Sequence, residues 1–493
     1  MINIPITVKD QFAEEGFSII TPDAIARPSE SISGEQADAL DRISIDRLKN
    51  NKHIKTDLAE KVPDRRSGDT MKVVAAEYDI PTIVEYMNWH MNRISENVIG
   101  RDDIIRQAMF AILTGEHMLL LSRTGMAKSY LTNYIFNTFE GARIFSQQAS
   151  KDQTPDNYFG PYNIDEFKKG RIRHNIKGSI IEANLVFLDE FFDASDVVLR
   201  ALLSVLNERR FINGSEQIDV AVHTAIATAN YMRMNEVTEA VLDRFTYKSI
   251  IPEDNNTYTQ LLIDHTYAFS GGKPVEPQKK IYFNQILYLN EIIKNKNKDI
   301  KIVIPDFIYF MKNVIVNKYM SDMRKSDYNF FVSPRKVAKL SDFLRASAIL
   351  NNRFEVTEED MKEMFVALCT LNSYISVKAK DKSERDVYTD AYQQTMVHFN
   401  AAGAIPQIEF LLNVRKILQE IREDPDKREA ILAKKSVLDA LLGILKKIFP
   451  AKKKEDDKLT IESLKTSVLE LNPAVEEVNE LKGGILRDYK DLH

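Results

Sequence analysis

The sequence predicts an α/β core followed by helical regions, and three observations lead there. Short apolar runs recur between residues 117 and 251, brief and rich in Leu, Val and Phe as buried parallel strands are. Amphipathic helical stretches separate them, the alternation of a layered α/β domain. After about Gly271 the strand pattern stops and helical periodicity takes over.

The strands are expected at His117–Ser122, Ala142–Gln147, Asn184–Glu190, His223–Asn230 and Tyr247–Ile251. Between them, Leu199, Leu202, Leu203 and Leu206 fall at helical spacing and give one face to a sheet. Phe211-Ile212-Asn213-Gly214-Ser215-Glu216 reads as a hairpin, because Asn-Gly supplies the positive φ angles of a type I′ turn. A second hairpin is expected over Gly170–Ile181 around Lys177-Gly178. Thr357 with Asp360 three residues on marks a helix start. Ile431, Leu438, Leu441, Leu442, Leu445, Ile448 and Phe449 form an apolar stripe near the C-terminus. Four regions follow: an N-terminal extension over 1–80, partly ordered, an α/β core over 81–270, a helical region over 271–379 and a helical C-terminal domain over 380–493. No internal repeat is visible.

The chain has 493 residues, 44% hydrophobic and 28% charged, enough for several cores and far from a disordered or collagen-like composition. Its net charge of −5 gives no global pull toward nucleic acid or anionic membrane. One cysteine, Cys369, excludes an intrachain disulfide and paired-cysteine metal sites. Met1-Ile2-Asn3-Ile4-Pro5 carries no basic n-region leading into an apolar core, and no run approaches the roughly 20 apolar residues of a membrane span. A cytoplasmic protein without membrane insertion is expected.

Ser122-Arg123-Thr124-Gly125-Met126-Ala127-Lys128-Ser129 is the most informative stretch. It follows a strand candidate and opens a helix candidate at Tyr130–Phe139, the context a phosphate-binding loop requires. Against G-x-x-x-x-G-K-[ST] it replaces both outer glycines, with Ser122 and Ala127. Gly125 can still bend the loop, and successive backbone N–H groups at a helix start can face phosphate oxygens. Lys128 would neutralise β/γ-phosphates and Ser129 would offer a hydroxyl to Mg²⁺. A chance Lys-Ser at a helix start is the alternative. Leu185-Val186-Phe187-Leu188-Asp189-Glu190 then ends an apolar strand in two carboxylates, where open α/β sheets bind ligands. Asp189 would hold Mg²⁺ through water and Glu190 would polarise the attacking water.

In this order the elements resemble an AAA+ ATPase, specifically the MoxR family, closest to its RavA-like branch, from about Asn92 to about Leu371. Glu96-Asn97-Val98-Ile99-Gly100-Arg101-Asp102 is similar to the family's entry segment, where Val98, Ile99 and Gly100 would cup the adenine. The resemblance extends the nucleotide site over Thr124, Gly125, Met126, Ala127, Lys128, Ser129 and Tyr130. Family loops commonly carry Ala where Ala127 stands. Thr154-Pro155-Asp156-Asn157-Tyr158-Phe159-Gly160-Pro161 resembles the segment before the family's helix-2 insert, and Leu206-Asn207-Glu208-Arg209-Arg210-Phe211 is a further match. Asn230 stands where sensor 1 is expected and would orient water with Glu190. Leu242-Asp243-Arg244-Phe245 resembles the arginine-finger segment, so Arg244 would reach the γ-phosphate of a neighbouring subunit. Ser333-Pro334-Arg335-Lys336 resembles the start of the lid helix, with Arg335 on the nucleotide of its own subunit. The resemblance implies an AAA+ αβα core with a parallel sheet, an all-α lid, ATP/ADP and Mg²⁺ as cofactors, a homo-hexameric ring, and a partner with a von Willebrand factor A-type domain.

Other readings stay open at this level. Each has a bland counterpart: a turn asparagine for Asn230, a surface pair with Asp243 for Arg244, a solvated helix start for Arg335. His90 and His174 lack companions at metal spacing and read as packed or solvated. Lys168, Lys169, Arg171 and Arg173 form a basic cluster that could face a pore or partner, or simply water. The C-terminal stripe could lie on a membrane surface, but Glu455-Asp456-Asp457 follows Lys452-Lys453-Lys454 at once and favours core packing. Two rival functions are a nucleotide-gated scaffold with little turnover and a nucleic-acid motor of the wider clade. The charge balance and the missing nucleic-acid module speak against the motor.

Overall fold

The computed structural model describes residues 79–213, 216–231, 242–251, 256–270, 281–328, 330–369, 383–432, 435–449 and 460–490. The N-terminal extension and the Lys452–Asp457 charge run lie outside the described residues. The chain divides into two compact units, one running to Ile302 and including Ala346–Phe354, the other formed by Val303–Arg345 and Glu355–His493. Among the described residues, no helix is long and apolar enough to cross a membrane.

The first unit opens with α1 (Ile80–Asn97) and α2 (Asp102–Thr114). On α1, Ile80, Ile83, Val84, Met87, Met91 and Ile94 are buried, the three-and-four spacing of one helical face. Strand β1 (His117–Leu121) leads to α3 (Lys128–Phe136), and β2 (Phe139–Glu140) and β3 (Ile144–Gln148) follow. Two short helices, α4 (Asp156–Phe159) and α5 (Ile164–Lys168), precede β4 (Leu185–Asp189). Then come α6 (Asp196–Glu208), the ribbon β5 (Arg210–Asn213) and β6 (Glu216–Asp219), β7 (Thr224–Ala229) and β8 (Phe245–Ile250). Helix α7 (Thr257–Ser270), β9 (Ile281–Tyr282) and α8 (Phe283–Ile293) complete the unit.

Five strands form one parallel sheet in the order β3-β4-β7-β1-β8. These are the five apolar runs, shifted by at most two residues at an end. The central strands β1 and β7 are buried throughout, as a sheet covered on both faces requires. Helix α6 buries Val198, Leu199, Leu202, Val205 and Leu206, and Ser195 caps the helix by accepting from the Val198 N–H. Leu203 is half-buried, one step off that face.

Two local expectations need correction. In the β5–β6 ribbon Asn213 pairs with Glu216, so Asn213 closes the ladder instead of sitting inside the turn. Over Gly170–Ile181 there is no hairpin. The chain instead leaves at Tyr162, forms α5, and returns to make one antiparallel bridge between Tyr162 and His174. Asn163 starts that helix by accepting from the N–H groups of Asp165 and Glu166 at 3.0 and 3.2 Å. Gly160 makes the excursion possible: at φ +89° it lets the Asn175 carbonyl approach to where a Cβ would lie 2.0 Å away. Lys177-Gly178 does turn, without a ladder on either side.

The second unit contains α9 (Asp306–Arg324), most of α10 (Pro334–Leu350), α11 (Glu358–Lys362), α12 (Phe365–Leu368) and α13 (Glu384–Ala401). After these come α14 (Ala404–Glu423), α15 (Arg428–Leu432), α16 (Lys435–Ile448), α17 (Ile461–Glu470) and α18 (Glu476–Lys490). Thr357 begins α11 as expected, its N–H donating to Asp360 at 2.8 Å. Helices α9 and α13 pack together, joined by the Tyr319 hydroxyl donating to buried Glu384 at 2.9 Å. In the C-terminal stripe, Ile431 on α15 and Leu441 on α16 are buried while Leu442, Leu445, Ile448 and Phe449 are half-buried. The stripe is therefore divided between two helices.

Candidate nucleotide site

Three neighbouring strands deliver the candidate residues to one edge. Lys128 follows β1, Asp189 and Glu190 end β4, and Asn230 follows β7. Because β7 lies between β4 and β1, parallel order alone brings Asn230 between the carboxylates and the lysine.

Lys128 Nζ donates to the carbonyls of Ser122 and Ala229, each at 3.3 Å, and to the Asn230 side-chain oxygen. Burial holds its ammonium below the usual lysine range, and the nearby charges of Asp189 and Glu190 oppose that shift. Ser129 Oγ donates to Asp189 Oδ2 at 2.7 Å, and the Thr228 hydroxyl donates to the other carboxylate oxygen. Glu190 receives two amide N–H groups, from Asn230 on Oε1 at 3.3 Å and from Gln148 on Oε2 at 2.8 Å. The Glu190 backbone N–H donates to Asp189 Oδ1 at 3.0 Å, so five of the predicted residues, Lys128, Ser129, Asp189, Glu190 and Asn230, form one connected network.

The loop geometry explains the altered motif. Gly125 takes φ +85° with nothing within 4 Å of an added Cβ, so backbone conformation and not space requires glycine there. Ala127 sits at φ +56°, a left-handed residue directly before α3. Ser122 does not enter the positive-φ region, so that outer position makes no demand for glycine.

Beside the loop lies a cavity of about 370 Å³. Val98 and Ile99 line it from the end of α1, Gly125, Met126 and Ala127 from the loop, and Tyr130 from α3. Gly100 and Thr124 are not among its lining residues; Gly100 turns the chain at φ +70° between Ile99 and Arg101. The far wall is α7, through Thr259, Ile263, Thr266 and Tyr267. A mostly apolar slot of this size next to a phosphate loop suits a purine base.

No motif in the sequence points to Gln148, Thr228 or the α7 wall. Gln148 ends the edge strand β3, paired with Asp189, and only that register brings it to Glu190. Arg244 lies in a short helical stretch before β8, half-buried, with its guanidinium on Asp243 at 3.2 Å and, among the described residues, no hydrogen-bond partner for its Nε. Arg335 is an exposed residue in the first turn of α10, within the second unit. His90 and His174 are both buried among neighbouring rings.

The donor set fits a small hard cation. A hydroxyl and a carboxylate at hydrogen-bond distance are oxygen ligands of the kind Mg²⁺ takes together with phosphate and water. Among the described residues no group of three His, Cys, Asp or Glu side chains could hold a metal by itself.

Residues 85–291 match the family described as the MoxR domain in the MoxR-vWA-beta-propeller ternary systems, and residues 304–369 match an AAA lid domain. Residues 85–291 are thus similar to the MoxR domain and residues 304–369 to an AAA lid. An uncharacterized protein of Methanocaldococcus jannaschii is 28% identical over 270 residues, covering 54% of this chain and 65% of its own length. A structural protein of Acidianus two-tailed virus is 23% identical over 281 residues, 53% of this chain and 45% of the viral protein. The chaperone MoxR1 of Mycobacterium tuberculosis is 23% identical over 323 residues, 63% of this chain and 81% of MoxR1. A crystal structure of a candidate ATPase from Cytophaga hutchinsonii superposes with a TM-score of 0.49 at 21% identity, covering 63% of this chain and 95% of that one.

Proposed function

We propose that this MoxR-type chain hydrolyses ATP with Mg²⁺ and uses the cycle to remodel or mature a protein partner carrying a von Willebrand factor A-type domain. The observation that carries the reading is the network Lys128–Asn230–Glu190 beside Ser129–Asp189, assembled from three adjacent strand ends. The partner class is supported by the matched family, which is described from systems that pair MoxR with a vWA protein.

ATP with Mg²⁺ supplies an activated phosphoryl group whose charge the cation neutralises. The chain's own residues do the rest. Lys128 presents a buried ammonium to the phosphates, and the α3 N-terminus adds backbone N–H donors and a favourable dipole. Ser129 and Asp189 hold the cation. Glu190 takes the proton of the attacking water on its carboxylate, and Asn230 keeps that carboxylate oriented. Val98, Ile99 and Tyr130 enclose the base. Arg244 completes the site of a neighbouring copy in a homo-hexameric ring, and Arg335 acts as the lid's nucleotide sensor. The RavA-like branch is the reading within the family that the sequence favours.

The Glu190→Gln variant tests the division of labour. Mg²⁺-dependent ATP hydrolysis falls by about 10²–10⁴-fold while binding of a fluorescent ATP analogue stays near wild type. Hydrolysis surviving in that variant would remove Glu190 from the mechanism. Negligible hydrolysis by wild type, even with a vWA-domain protein added, would favour a nucleotide-gated scaffold.

A further inference from the structure

The segment 162–174 projects from between β3 and β4, and its composition is odd for a surface excursion. None of the residues of α5 is buried. Ile164, Phe167 and Ile172 are 69%, 64% and 55% exposed, and Tyr162 beside them is exposed as well. Apolar side chains grouped this closely on a short excursion mark an interaction site more often than scattered surface residues do. Between them and just beyond stand Lys168, Lys169, Arg171, Arg173 and Lys177, against only Asp165 and Glu166. Five basic groups against two acidic ones put a positive excess on a chain whose net charge is −5. Glu166 is shared by Lys169 at 3.0 Å and Arg171 at 3.7 Å, while among the described residues Arg173 and Lys177 have no ion-pair partner.

The base of the excursion is rigid where its tip is bare. The His174 ring packs on Tyr162 at 4.5 Å and edge-on to Phe211 of the β5–β6 ribbon at 5.0 Å, and Phe211 meets Phe159 at 4.9 Å. His174 is buried, with Nε2 at 3.9 Å from Asp156. Backbone bonds of 2.7 Å from Asn163 to Arg173 and from Asn175 to Pro161 close the neck. A pinned neck presents the tip without a large ordering cost on binding.

We propose that the tip of this excursion is a docking surface for an acidic protein segment: an apolar anchor seats against Ile164, Phe167 and Ile172, and flanking carboxylates pair with Lys168, Arg171, Arg173 and Lys177. Charge selects the partner's sign and the apolar side chains select protein over nucleic acid. A nucleic-acid contact would gain nothing from Ile164 and Ile172 and would meet Asp165 and Glu166. The inference goes beyond the proposed activity, since docking does not require hydrolysis.

The test uses the full chain and a fluorescein-labelled peptide of Glu, Asp, Leu and Phe, read by anisotropy at low and moderate salt. Comparison peptides carry Lys for the acids or Ser for the apolar residues, and a single-stranded oligonucleotide serves as competitor. The acidic apolar peptide is expected to bind best and to weaken with salt. Ile164→Ser with Phe167→Ser, and separately Lys168→Glu with Arg171→Glu, each lower its affinity by about tenfold or more. The charge-reversed variant turns toward the lysine peptide. Unaltered binding of a fluorescent ATP analogue shows that both variants are folded, so a failed hydrolysis reading leaves this test intact. Peptide affinity unchanged in both variants overturns the proposal. So does preferential binding of the oligonucleotide, or loss of self-association in the variants with no peptide binding by wild type.

Discussion

Ala127 holds a left-handed backbone at φ +56° immediately before Lys128, a conformation that costs an L-residue about 1–2 kcal/mol. Glycine would remove that strain but lose about 0.5–1 kcal/mol through its freer unfolded chain. Strain is the larger effect, so Ala127→Gly is expected to stabilise the protein slightly, by up to about 1 kcal/mol, with ATP affinity retained. Denaturant unfolding of the two proteins measures it, and a clear loss of stability would show that Ala127 is held by packing instead. Gln148 makes a sharper case. Its amide and that of Asn230 each hold one oxygen of Glu190, fixing the carboxylate from both sides. Gln148→Ala frees one oxygen and is expected to lower kcat by about three- to tenfold, since orientation carries part of the barrier, with nucleotide Kd unchanged. A changed Kd with kcat intact would instead make Gln148 a binding residue. Lys128, Ser129, Asp189, Glu190 and Asn230 were legible in the sequence because each sits in a local motif at a strand end. Gln148 and Thr228 were not, because their roles depend on which strands are neighbours.

Among the elements, α7 contributes most to the cavity and was least visible in advance. Thr259, Ile263, Thr266 and Tyr267 fall on one face and line the cavity, and Ile263 and Tyr267 there are exposed, as are Tyr258, Leu261 and Phe269 on the adjoining face. None of its described side chains is fully buried, so the helix gains little of the roughly 1.5–3 kcal/mol that a fully buried apolar side chain supplies. A bound base would add to that sparse packing. Ile263→Asp with Tyr267→Ala is therefore expected to weaken ATP binding by about tenfold or more and leave the global fold unchanged. Titration with a fluorescent ATP analogue and far-UV circular dichroism decide it, and unchanged affinity would remove α7 from the base site. Whereas β3, β7 and β8 mix polar residues into shorter apolar stretches, strands β1 and β4 were readable as the near-continuous apolar runs Met118–Leu121 and Leu185–Leu188. The excursion at 162–174 was not, because alternating basic and apolar residues resemble a ribbon, whereas the Asn163 cap turns the segment into a helix. Apolar side chains facing outward break the pattern by which burial reveals an element.

For the whole molecule, a region similar to the MoxR domain and one similar to an AAA lid are followed by a helical C-terminal region. The proposed site for phosphate and cation rests on the network at the strand ends, and the ring is the proposal that follows. Arg244 is the residue on which that proposal turns, because a finger supplied by a neighbouring copy makes hydrolysis depend on assembly. The direct measurement is Mg²⁺-dependent ATPase activity per chain across a wide range of protein concentration, with assembly followed by sedimentation and Arg244→Ala assayed alongside. Activity per chain should rise with assembly and then plateau, and Arg244→Ala should assemble, bind ATP and lose hydrolysis by about 10²-fold or more. Activity per chain that stays constant while the protein passes from monomer to assembly, with Arg244→Ala as active as wild type, would contradict the account.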